Sequence, residues 1–108
     1  MNKLQLLPIK RIKHKGSIDQ RFAEFHKNNP HVYQNLLHLA IQVQLAGRKR
    51  IGMKSLYERI RWEYVSKTKY EQEDFKLDNN FTSRYARMIV NNVPYLKGMF
   101  ELRDLRAR

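Results

Sequence analysis

The chain has 108 residues, 42% of them hydrophobic and 11% aromatic, enough for one domain with a buried core and too few for a second. Lysine and arginine outnumber acids 22 to 10, a net charge of +12, which calls for an anionic partner: nucleic acid, an acidic protein or an anionic surface. The absence of cysteine excludes disulfides, thiolate metal sites and cysteine nucleophiles, and the basic start from Met1 to Lys15 lacks the apolar block of a signal peptide. The chain therefore reads as cytoplasmic, with no membrane partner.

The charge is clustered. Residues 1–16 carry Lys3, Lys10, Arg11, Lys13 and Lys15 with no acid, and read as a flexible basic arm ahead of one helical domain over 17–108. Residues 17–46 are neutral, 47–67 carry +5, 68–78 carry −2 and 79–108 carry +4.

Ser17 followed by Gln20 is a capping-box pattern, so a first helix is predicted there, with Ile18, Phe22 and Phe25 at helical spacing. It stops at "KNNP", where Asn29 can cap a second helix with Pro30 at its first position. From Val32 to Leu45 apolar residues cover more than one face, which predicts a central buried helix ended by Gly47. After a short basic stretch, extended at Arg50 to Gly52, comes a third helix. In it Met53, Leu56, Tyr57, Ile60 and Tyr64 form one stripe.

Ser66 to Asp78 has mixed charge and no period, and reads as a loop with a short strand near Phe75 to Leu77. Asn79 or Asn80 then caps a fourth helix, with Phe81, Tyr85, Met88, Ile89 and Asn92 on one face. The tail from Tyr95 reads either as a hairpin around Lys97-Gly98 or as a further helix with Leu96, Met99 and Phe100 inward. The hairpin is favoured because glycine is a poor interior helix residue. The expected class is mainly α: four helices with a C-terminal β-hairpin, in the order of a winged helix-turn-helix.

The polar face of the fourth helix gathers Ser83, Arg84, Arg87 and Asn91. Arginine pairs with guanine and asparagine with adenine in the major groove, and serine near a helix start suits phosphate contacts. The same face is also what any surface helix of a basic protein displays. In a winged helix this element would enter the groove while the hairpin brought Lys97, Arg103 and Arg106 to the backbone. Against that order, thirteen residues separate the third and fourth helices, where a helix-turn-helix turn has three or four.

Arg48, Lys49, Arg50 and Lys54 read as a phosphate clamp or as cations offsetting the dipole at a helix end. Trp62, with Arg59, lies away from the apolar stripe and needs either an internal contact or a stacking or partner surface. His14, His26, His31 and His38 lack the spacing of a metal site, and Glu71, Glu73, Asp74 and Asp78 suit a solvated loop better than a magnesium site. No nucleophile stands with a base and no glycine loop could cradle phosphates, so neither catalysis nor a cofactor is expected.

The segments "RFAEFHKNNPHVY", "GMKSLYERIRW", "FKLDNNFTSRYARMI" and "GMFELRDLR", spanning residues 21–105, together resemble a family of small proteins encoded by phages and prophages. The resemblance implies a mobile-element origin and brings no activity and no site residues with it. The first functional expectation is a protein that binds nucleic acid, double-stranded DNA before RNA, in regulation or replication of a phage genome. The alternative is a phage inhibitor that docks its basic face on a host protein or ribonucleoprotein, such as a defence complex. An RNA-binding module and a magnesium nuclease find less support in the residues.

Overall fold

Helix α1 spans Ile18–Asn28 and begins at the capping box. The Ser17 hydroxyl accepts from the Gln20 N–H at 3.2 Å, and the Gln20 side-chain oxygen accepts from the Ser17 N–H at 2.9 Å. Both amides lie at a helix start, where no intrahelical acceptor exists. The computed structural model describes residues 4–13, 15–69 and 80–100. Its other helices are α2 (Pro30–Leu45), α3 (Met53–Lys67) and α4 (Phe81–Asn92), followed by a 3-10 turn over Pro94–Leu96. The architecture is mainly helical, with no strand among the described residues.

The helices pack as a ring, α1 on α2, α2 on α3, α3 on α4, with α4 closing back on α1. The core is the set the periodicity picks out: Phe22 and Phe25 from α1, Val32 and Leu36 from α2, the Met53-Leu56-Tyr57-Ile60-Tyr64 stripe of α3, and Phe81, Tyr85 and Ile89 from α4. Each such side chain contributes about 1.5–3 kcal/mol on burial. Tyr85 sits at the centre, edge-on to Phe22 at 4.8 Å and to Tyr57 at 6.1 Å between ring centroids.

Three expectations are corrected. Residues 4–13 are not a free arm, because Ile9 is buried in the core and Leu4, Leu6 and Ile12 pack against it. Two buried asparagines hold this strap by its backbone. Asn29 accepts from the Lys10 N–H at 2.7 Å and returns a bond to the Lys10 carbonyl at 2.9 Å; Asn35 does the same for Gln5 at 2.8 and 2.9 Å. Asn29 therefore starts α2 without a side-chain cap. The Tyr64 hydroxyl also donates to the Leu7 carbonyl.

Second, α3 continues past Ser66 to Lys67: the Ser66 hydroxyl donates back to the Trp62 carbonyl at 2.8 Å, and Lys67 pairs with Glu63 at 2.6 Å. Third, the tail forms no hairpin as far as residue 100. Successive bonds from Leu96 N–H to Val93, Lys97 N–H to Pro94 and Met99 N–H to Leu96, of 2.9, 2.9 and 3.0 Å, commit the donors a ladder would use. Gly98 turns the chain at φ +92°, where other residues are strained. Leu96, Met99 and Phe100 are all buried, but beyond the 3-10 turn at Pro94–Leu96 no further helix forms through residue 100 either. The strand expected near Phe75 to Leu77, the acidic group from Glu71 to Asp78, His14, Arg103 and Arg106 lie outside the described residues.

Candidate nucleic-acid interface

Helix α2 ends in a paired set of bonds characteristic of a glycine stop. The Gly47 N–H donates to the Gln44 carbonyl at 3.0 Å and the Arg48 N–H to the Val43 carbonyl at 3.2 Å, with Gly47 at φ +91°. The chain leaves the helix sharply, and Arg48, Lys49 and Arg50 stand exposed. One residue further, the Ile51 N–H donates to the Met99 carbonyl at 2.9 Å. That bond ties the basic connection to the C-terminal turn.

Lys97 consequently joins Arg48 and Lys49 around one depression of about 310 Å³, whose wall includes Gln44 and Tyr95. A larger groove of about 840 Å³ lies alongside, with Arg50 and Lys54 facing Thr82 and Ser83 at the start of α4. Met99 lines both. Among the described residues, neither lining contains an aspartate or glutamate and none of Arg48, Lys49, Arg50, Lys54 and Lys97 is engaged in an ion pair. Five cations from two distant segments, without an ion pair among the described residues, thus share one surface. Helices α3 and α4 both begin there, with no acid in the first turn and no side-chain cap, so their positive dipole ends add to the same field.

The face expected on α4 is divided. Ser83 turns toward the groove, but Arg84 donates to Asp19 of α1 at 2.7 Å and to the Asn80 carbonyl at 3.2 Å, and its side chain is only 11% exposed. An arginine held in this way is committed to helix packing. Arg87 is half-buried, while Asn91 is exposed near the end of α4.

On α3, Arg59 pairs with Glu63 at 3.1 Å, and Glu63 also takes Lys67; the adjoining Lys67 and Arg59 hold the Glu63 carboxyl below the usual carboxylate range. Trp62 is 64% exposed, with Val65 exposed beside it on the same helix. The histidines do not converge: His26 stacks on Phe22, His31 is buried, and His38 shares a hydrogen bond with Gln42 at 3.0 Å. No cluster of metal-ligating residues occurs among the described residues, and no helix there is long and apolar enough to cross a membrane.

Comparison with protein-family models, curated proteins and solved structures finds no match to this chain. Among the lining residues, Gln44, Thr82 and Tyr95 are absent from the set the sequence nominates. A signal for Tyr95 does exist: if Leu96 is inward on a tight turn, its neighbours on both sides must face out.

Proposed function

We propose that this protein binds nucleic acid through the phosphate backbone, at the surface formed by Arg48, Lys49, Arg50, Lys54 and Lys97. The observation that carries the reading is the joining of these cations, distant in sequence, around two adjacent depressions free of carboxylates among the described residues. Phosphate binding needs clustered, unpaired positive charge, and a fold that collects such charge against its own repulsion gains most from a polyanion. Thr82 and Ser83 add hydroxyls at the α4 start. In winged-helix terms α4 would be the third helix, and the Lys97 turn would stand where the wing does. The reading requires no base contact from Arg84, and it makes the protein a binder rather than a catalyst. A phage origin, with action in the host cytoplasm on DNA, is the setting the sequence resemblance and the charge suggest.

Titration of labelled duplex and single-stranded oligonucleotides at two salt concentrations tests this. Affinity should fall steeply with salt, and Lys49→Glu or Lys97→Glu should lower both affinity and the salt slope, the slope by about 0.7–0.9 for each phosphate no longer neutralised. Arg84→Gln should leave the slope unchanged. Salt-independent binding, or none, refutes the reading.

A second reading rests on Trp62: an exposed tryptophan with Val65 on α3 suits docking to a host protein, since aromatic anchors dominate interface energies. Under it, Trp62→Ala abolishes a stoichiometric complex with one host protein while oligonucleotide affinity is unaffected.

A further inference from the structure

Tyr95 is 60% exposed, yet it is not on a loose segment. Pro94 precedes it with a restricted backbone, Leu96 after it is fully buried, and the bonds of Leu96, Lys97 and Met99 back to Val93, Pro94 and Leu96 fix the turn on either side. The ring is therefore carried toward solvent on a fixed backbone, so little backbone freedom remains to be lost when something lies on it. Around it stand Arg48, Lys49 and Lys97, and the Gln44 amide, which offers both a donor and an acceptor, lines the same depression.

An apolar protein anchor would meet a single ring framed by cations. A nucleotide matches both parts, its phosphate the cations and its base the ring. Paired bases within a duplex are stacked on one another and present only their edges, so the face of the ring can be used only by an unpaired base.

Building on the backbone reading above, we infer that the depression between α2 and the C-terminal turn takes an unpaired nucleotide, its base stacked on Tyr95 and its phosphates on Arg48, Lys49 and Lys97. The preferred ligand is then single-stranded nucleic acid, or a strand with an unpaired end.

The test compares an oligothymidylate with a strand of equal length in which the central nucleotides are abasic, so that phosphates are kept while bases are removed. Each is titrated against wild type, Tyr95→Ala and Tyr95→Phe, whose exposed position leaves the core untouched. Wild type should prefer the base-bearing strand by about five- to 160-fold, the range of one stacked base. Tyr95→Ala should erase the preference and Tyr95→Phe should keep it. Repeating the series with ribose strands assigns the sugar, and a preference in either series that Tyr95→Ala removes supports the site. Equal binding of the two strands in both series, or a preference that survives Tyr95→Ala, overturns this inference and leaves the backbone reading standing. Failure of every strand to bind overturns both.

Discussion

Replacing Asn29 by alanine would release the N-terminal strap at its best-defined point. The Asn29 side chain is fully buried and makes three hydrogen bonds: it accepts from the Lys10 N–H at 2.7 Å, and donates to the Lys10 carbonyl at 2.9 Å and to the Phe25 carbonyl at 3.1 Å. Its backbone N–H donates separately to Phe25 at 2.8 Å, so α1 should still terminate in the variant. Three bonds at a net 0.5–1.5 kcal/mol each, together with the small void left behind, amount to roughly 2–5 kcal/mol. That is a large share of the stability of a typical domain, about 5–15 kcal/mol. Urea unfolding measures the loss, and amide exchange at Lys10 shows whether the strap has lifted, which would also uncover Ile9. Asn35→Ala should free Gln5 and leave Lys10 protected. A change below about 0.5 kcal/mol in Asn29→Ala, or unchanged Lys10 exchange, would refute the clamp.

The Tyr85 hydroxyl is buried without a hydrogen-bond partner among the described residues, and burial pushes its ionisation well above the usual tyrosine range. Tyr85→Phe keeps the ring packing and removes an unsatisfied polar group, so denaturant unfolding should show a gain of about 1 kcal/mol; a loss of that size would contradict it. Burial also lowers the His31 pKa from 6.5, against a hydrogen bond to the Leu7 backbone that favours the charged ring and alongside a nearby Lys10 that disfavours it. The folded ring therefore binds a proton less readily than the unfolded one, and stability should fall as pH drops below 6.5. His26, lowered by burial as well, adds to the same trend. In His31→Gln, equilibrium unfolding followed across that range should give a shallower decline, and an unaltered profile would remove His31 from the account.

What the sequence determined by itself is local. The Ser17-Gln20 box, the Gly47 stop and the single stripe of α3 each depend on backbone geometry and a period of 3.6 residues within one segment, and each is found where it was expected. The four helices and most of their buried faces follow from the same rules. Tertiary structure decided the partners. Arg84 looks like an exposed reading residue on its own helix, and only the packing of α4 against α1 sets it on Asp19, 65 positions away. Asn29 fits an N-cap pattern, yet the strap takes its side-chain amide, because the Lys10 N–H and carbonyl engage its oxygen and nitrogen together. Trp62, on its helix alone, calls for cover and is left largely exposed. Arg48 and Lys49 meet Lys97 and Tyr95 only because Ile51 bonds to Met99, a contact with no trace in spacing or composition. Hydrogen bonds and fields act through space, so a surface assembled from both ends of the helical ring becomes visible only when the ring is closed.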